Sequence, residues 1–197
     1  MRCRWHVPRC SGQYRGNDGG EGEEEYGGSD VNDVLNLLPL LESLPFVDSD
    51  GIGMYGWSRG GMETYIAITR TDKIKAAVVG GGVTDLIQTF EEAEERPVGP
   101  SKQLLIEIIG CSPAEKEEEY KNRSAYYWPE RIDTPILILH GEDDENVNVT
   151  QAKKLASELE ELGKTYELII YPDGGHGLGE HREDVNSRLL EWFAKYV

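Results

Sequence analysis

The sequence is short of cysteine and has no long apolar run. Its three cysteines, Cys3, Cys10 and Cys111, are too few and too scattered for a disulfide framework. No second ligand pair follows Cys3 and Cys10 at zinc-finger spacing, so we expect free thiols, no metal and no cofactor. No apolar stretch reaches the length of a membrane span, and the N-terminal MRCRWHVPRCSGQYRG lacks the apolar centre of a secretory signal. These absences predict a cytoplasmic protein that does not enter a membrane.

Positive charge is scarce as well. The 197 residues contain 20 Lys and Arg against 37 Asp and Glu, which gives a formal net charge of −17. The phosphates of nucleic acids attract basic surfaces, so this balance argues against a nucleic-acid-binding protein. The length suits one domain with its own hydrophobic core.

What the sequence does contain is an alternation of strand and helix patterns from residue 51 onward. The apolar runs that predict strands are Ile52–Tyr55, KAAVVGGG, PILILHG and YELIIYP. Helices are predicted over residues 59–69, in TQAKKLASELEELG and over residues 183–196, and a helix in SDVNDVLNLLPLLESLP is expected to kink at Pro39. This alternation predicts an α/β fold with a mostly parallel sheet flanked by helices.

Chemically active side chains follow three of the predicted strands. Ser58 comes after the first, an acidic cluster comes after PILILHG, and His176 lies in DGGHG after YELIIYP. Open parallel sheets bind ligands beyond the carboxyl ends of their strands, so we expect these groups to meet there. Two acids of the cluster, Asp143 and Asp144, are candidates, and their spacing does not separate them.

The serine stands in GWSRG, a Gly-x-Ser-x-Gly corner between a strand and a helix. Small residues allow a sharp turn that presents the Ser58 hydroxyl, while amides at the start of the helix point to the same place. A serine hydroxyl requires a general base, which His176 supplies, and an acid that orients the histidine. The pattern therefore predicts a serine hydrolase that works through an acyl-enzyme.

The motifs GWSRGG, ILHGEDDENV and YPDGGHG, preceded by QYRGNDGGEGEEEYGGSDVNDV, resemble the catalytic domain of the prolyl oligopeptidase family of serine peptidases, within the α/β-hydrolase superfamily. The resemblance covers about residues 13 to 197. It implies a peptidase acting on peptide substrates, with hydrolysis of small carboxylic esters as the alternative. The implied site residues are Ser58, Asp144 and His176 as a catalytic triad, the Arg59 backbone N–H as an oxyanion donor, Trp57, Asn146 and Val147 as substrate contacts, and His140 as a structural residue.

The N-terminal end departs from the family pattern. The resemblance implies earlier strands and a loop tyrosine that donates to the oxyanion, but residues 1–12 show no strand pattern and Tyr14 stands in a different motif. We therefore expect an atypical segment over residues 1–12 and a partial α/β-hydrolase domain over residues 13–197 that lacks its first strands. An open sheet edge would then favour self-association. An inactive remnant of such an enzyme is the further alternative.

Overall fold

A computed structural model describes residues 24–96 and 98–197 of the chain. Four strands, β1 (Ile52–Trp57), β2 (Ile74–Gly80), β3 (Ile136–Gly141) and β4 (Tyr166–Tyr171), form one sheet in the order β1-β2-β3-β4. Every neighbouring pair is parallel. The helices are α1 (Val31–Leu35), α2 (Leu37–Ser43), α3 (Arg59–Ile68), α4 (Leu86–Glu91), α5 (Lys102–Ile109), α6 (Glu117–Lys121), α7 (Val149–Glu161) and α8 (Arg182–Tyr196). The predicted α/β fold is confirmed.

The sheet separates two apolar clusters because successive strand residues point to opposite faces. On one face, Ala77, Val79 and Ile138 pack with α3 and α7. On the other, Val78 and Leu139 pack against α8, whose Val185 and Trp192 are buried. All six residues of β3 are buried, which explains why PILILHG reads as a continuous apolar run. Helices on both faces thus leave the carboxyl ends of the strands as the place where loops can build a site.

The helical pattern before β1 contains a break, but not at the predicted residue. Two helices, α1 and α2, meet at Asn36, and Pro39 lies inside the first turn of α2. A proline ring clashes with the carbonyl four residues earlier, which here belongs to Leu35. The proline therefore interrupts the helix one turn before its own position, and the expected kink at Pro39 is wrong by that distance.

The outer edge of β1 borders a groove of about 530 Å³. Apolar residues of β1, α1 and α2 line most of it, including Met54, Leu38 and Leu41, and the carboxylates of Asp30 and Glu63 lie at its wall. Among residues 24–96 and 98–197, the only strand that pairs with β1 is β2. The atypical segment predicted over residues 1–12, which contains Cys3 and Cys10, lies outside the described residues, and so does Tyr14.

No helix in the described part of the chain combines the length and the apolar character that a membrane crossing requires.

Candidate active site

Ser58 occupies a sharp corner between β1 and α3. Its backbone has φ 57° and ψ −120°, a region that residues with a side chain rarely adopt. The Ser58 N–H donates to the Gly80 carbonyl of β2 at 2.8 Å, and the Ser58 carbonyl accepts from Gly61 N–H at 2.9 Å. Bonds to the sheet on one side and to the helix on the other hold this strained conformation, which directs the side chain out of the corner.

The motif predicts that the glycines around Ser58 are needed for close packing at the corner, and this holds for only some of them. A Cβ at Gly56 would lie 2.1 Å from the Gly60 carbonyl oxygen, so no larger residue fits there. A Cβ at Gly61 would lie 2.6 Å from a Val79 methyl group. By contrast, a Cβ at Gly60 would meet nothing within 4 Å. The close approaches therefore require Gly56 and Gly61, and the expectation that Gly60 must be small for packing is wrong.

His176 faces the serine hydroxyl. Its Nε2 lies 2.9 Å from Ser58 Oγ, and its Nδ1 lies 2.8 Å from Asp144 Oδ2. The histidine follows β4 in a loop that is bonded to its neighbours, since Asp143 N–H donates to the Gly174 carbonyl and the Trp57 indole N–H donates to the His176 carbonyl, both at 2.9 Å. The loop that carries the imidazole is thus anchored to both the serine strand and the acid loop, rather than free to swing.

Asp144, and not Asp143, is the acid at the histidine. The Asp144 side chain is fully buried and Oδ1 accepts from the backbone N–H groups of Asn146 and Val147, both at 2.9 Å. Asp143 is exposed. Burial alone would raise the pKa of Asp144, but hydrogen bonds from His140, from His176 and from Val147 N–H outweigh it and hold that pKa well below its usual range. Asp144 is therefore an anion that can stabilise a protonated imidazole at His176.

The Arg59 backbone and side chain face different groups. Arg59 N–H is the first amide of α3, and no acceptor among the described residues bonds to it. The guanidinium forms ion pairs with Glu24 and with Glu63, the latter at 3.2 Å, and lies over the Tyr26 ring. The amide is therefore available to an oxyanion next to Ser58, whereas the side chain is occupied by carboxylates.

The carboxylates around Arg59 are themselves unusual. Burial raises the pKa of Glu63 to about 7, and Arg59 only partly opposes this shift, while the charges of Asp30 and Glu24 add to it. Burial also raises the pKa of Glu24. Glu63 Oε1 accepts no hydrogen bond within the described residues, although Arg59 Nε lies near it. This cluster was not predicted from the sequence, because Glu63 reads there as one more helical acid.

The predicted substrate contacts fall in three different environments. The Val147 side chain is 3% exposed in the core, so the expectation that it contacts substrate is not supported, and its backbone bonds to the site instead. Asn146 is half-buried, and its backbone carbonyl accepts from the Arg96 guanidinium at 3.0 Å. Trp57 is half-buried beside Ser58, where its ring packs on Gly80. Of the three, Trp57 and Asn146 are the two that are partly exposed.

Two contacts at the site escape the sequence-based prediction. The Trp57 indole binds the His176 carbonyl across 119 positions of the chain, and His140 Nε2 lies 3.3 Å from Asp144 Oδ2. The sequence offers only the four-residue spacing of His140 and Asp144 as a signal for the second contact. That spacing has no fixed meaning where a strand ends and a loop begins, so it does not predict the contact. Within the described residues, no group of three His, Cys, Asp or Glu side chains is arranged to hold a metal ion.

Several known proteins are similar to this chain. The sequence pattern described as the prolyl oligopeptidase family matches residues 9–197. The chain is 35% identical over 182 residues to the uncharacterized peptidase YtmA of Bacillus subtilis, covering 91% of this chain and 68% of that protein. It is 27% identical over 179 residues to the uncharacterized peptidase YuxL of the same organism, covering 88% of this chain and 26% of that protein. The solved structure of Pyrococcus horikoshii acylaminoacyl peptidase superposes with a TM-score of 0.77 at 26% identity, over 88% of this chain and 29% of that one.

Proposed function

The chain belongs to the prolyl oligopeptidase family, and on that premise we propose that it is a serine peptidase with Ser58, His176 and Asp144 as its catalytic triad. The observation that carries this proposal is one continuous line of hydrogen bonds, from Ser58 Oγ through both nitrogens of His176 to Asp144. A hydroxyl within 2.9 Å of an imidazole that a buried carboxylate orients is the arrangement that activates a serine.

The proton transfers follow from the acceptors around the histidine. Asp144 is an anion and can only accept, so His176 Nδ1 carries a hydrogen and Nε2 is left free to receive the Ser58 proton. Ser58 Oγ attacks the carbonyl carbon of the scissile bond while His176 takes its proton. His176 then returns that proton to the departing amine as the C–N bond breaks, which leaves an acyl-enzyme. Water, activated by the same histidine, releases the acid and restores the serine.

The negative charge that develops on the substrate carbonyl oxygen requires a donor beside Ser58. The Arg59 backbone N–H is suited to this role because it opens α3 and has no acceptor among the described residues. The Trp57 indole N–H donates to the His176 carbonyl and so helps to hold the loop that carries the general base. The half-buried Asn146 side chain lies next to the acid loop and is the remaining candidate for a substrate contact.

Peptide substrates are the better supported class. The relatives reported above are named as peptidases, and the chain spans 68% of one of them but only 26% of the other. The triad chemistry itself serves amides and esters alike. A direct comparison of an amide with an ester substrate is therefore needed to identify the leaving group.

A fluorophosphonate probe tests the nucleophile in the full 197-residue chain. We expect one covalent adduct on Ser58 that disappears in Ser58→Ala. Ser157→Ala removes an exposed hydroxyl from α7 and is the matched control, which should label as the wild type does. A folded wild-type chain that does not label would contradict the proposal and favour an inactive remnant. With labelling established, turnover of a short peptide anilide against a p-nitrophenyl ester assigns the substrate class.

A further inference from the structure

His140 is a buried histidine with one satisfied nitrogen and one orphaned nitrogen. It is the fifth residue of β3 and is completely buried. Its Nε2 lies 2.8 Å from the Val147 carbonyl oxygen and 3.3 Å from Asp144 Oδ2. Its Nδ1 has no hydrogen-bond partner among the described residues. A polar group buried in this way generally has a reason to be there, because an apolar side chain would avoid the unmade bond.

The two neighbours of Nε2 determine where the hydrogen is. The Val147 carbonyl and the Asp144 carboxylate are both acceptors, so Nε2 carries a hydrogen that is shared between them, and Nδ1 is the bare nitrogen. His140 therefore brings its Nε2–H group to the same carboxylate oxygen that His176 contacts, with 3.3 Å between Nε2 and Oδ2. Asp144 Oδ2 lies between two imidazoles, while Oδ1 is held by the amides of Asn146 and Val147.

We propose that His140 is a positioning residue for the triad: by donating from Nε2 to Asp144 Oδ2 and to the Val147 carbonyl, it holds the carboxylate in the orientation and the anionic state that His176 requires. This inference deepens the proposed function and rests on it. The contacts of Asp144 with His140 and His176 both lower its pKa against the effect of burial. The same contact closes the turn from Asp144 to Val147, because its second acceptor belongs to the end of that turn.

Two substitutions separate the donor from the bulk of the side chain. Glutamine carries an amide N–H at about the distance of a histidine Nε2 from the backbone and has no counterpart of the orphaned Nδ1, whereas methionine has similar bulk without a donor. We expect His140→Met to lower kcat roughly tenfold to a hundredfold with little change in KM, because one donor to a charged group is lost. His140→Gln should recover most of that loss. His181→Met and His181→Gln, at a half-buried histidine outside the triad that is bonded to the Pro172 carbonyl, are the matched controls and should change neither constant.

A second measurement keeps the inference testable apart from turnover. The downfield proton resonance of His176 Nδ1–H reports its bond to Asp144 in a folded chain, whether or not the chain is active. We expect His140→Met to shift or broaden this resonance and His140→Gln to retain it. A folded wild type that neither reacts with the fluorophosphonate probe nor hydrolyses substrate would overturn the proposed function. The His176 Nδ1–H resonance would still test the role of His140 in that chain. If His140→Met matched the wild type in kcat and in this resonance, or if Gln and Met behaved alike, the role of His140 would be overturned.

Discussion

Asp144 and Glu63 are both buried carboxylates close to Ser58, yet their pKa values are shifted in opposite directions. Asp144 is held well below its usual pKa, whereas that of Glu63 is raised to about 7. Both side chains are less than a tenth exposed, so burial acts on both. The difference lies in the donors, since Asp144 accepts hydrogen bonds from His176 and from two backbone amides, while among the described residues Glu63 faces the Arg59 guanidinium alone, with 3.2 Å between Nε and Oε1.

The comparison teaches that a nearby positive charge does not replace directed hydrogen bonds. Arg59 approaches Glu63 within 3.2 Å but must also serve Glu24, and further negative charge from Asp30 lies close by. Asp144 has donors directed at both of its oxygens, from His176 and from the backbone amides of Asn146 and Val147. The surroundings of Asp144 suit a group that must stay charged during a reaction. The surroundings of Glu63 suit a group that gains a proton when the pH falls.

The largest expected effect comes from changing the acid at the histidine. Asp144→Asn keeps the shape of the side chain but removes its charge and permits the wrong histidine tautomer, so kcat should fall about 10⁴-fold. The measurement is steady-state hydrolysis of a peptide anilide. Asp143→Asn, at the exposed neighbour, is the control and should remain near wild type. Equal losses in the two variants would contradict the assignment of Asp144.

The next effect comes from removing the shared cation. Arg59→Met leaves the buried carboxylates Glu24 and Glu63 without their counter-ion, which should lower the free energy of unfolding by about 3 kcal/mol at pH 8. The loss should be smaller at pH 5, because Glu63 then carries a proton. Urea unfolding at the two pH values measures it. An equal loss at both would show that packing of the arginine stem, rather than charge, is responsible.

A smaller effect of opposite sign is expected at Glu63 itself. Because its pKa of about 7 in the folded chain exceeds the unfolded value of 4.5, the stabilisation from its bound proton is complete below pH 4.5 and is lost as the pH rises through 7. Glu63→Gln mimics the protonated form and should raise the free energy of unfolding by about 2 kcal/mol at pH 8. At pH 4.5 it should change little. Glu161→Gln, at an exposed acid of α7, should show no such pH dependence.

The smallest expected effect concerns the neighbour of Glu63. The charge of Asp30 contributes to the raised pKa of Glu63, so Asp30→Asn should lower the midpoint of the Glu63 titration by a fraction of a pKa unit. The asparagine oxygen can still accept from Glu25 N–H and Gly27 N–H as Asp30 does. Carboxyl-carbon NMR of Glu63 follows the midpoint directly. An unchanged or raised midpoint would remove Asp30 from the account of this cluster.

The sequence predicted the parts of this site that depend on local pattern. The four strands were recognisable as apolar runs, and Ser58 and His176 followed from their places after strands. Spacing alone did not choose between Asp143 and Asp144. The opposite pKa shifts of Asp144 and Glu63 could not be predicted from the sequence. The donors and neighbouring charges that cause them come together only when β3, α3 and the segment around Asp30 pack.

The same limit explains the other differences. The bond from Trp57 to the His176 carbonyl joins residues 119 positions apart, and no motif within GWSRGG announces it. A Cβ would meet no atom within 4 Å at Gly60 but would clash with Val79 at Gly61, and this difference depends on which side of the corner faces β2. The helix breaks at Asn36, about one turn before the predicted position at Pro39, because the proline acts through the carbonyl four residues before it.

The backbone of Ser58 has a consequence for how such a chain evolves. The positive φ of 57° is unfavourable for any residue that has a Cβ, and glycine alone would relieve it. Selection for heat resistance by itself would therefore favour glycine at position 58 and erase the hydroxyl. With Ser58 as the proposed nucleophile, the serine exchanges stability for reactivity, and stabilising mutations should be sought elsewhere in the fold.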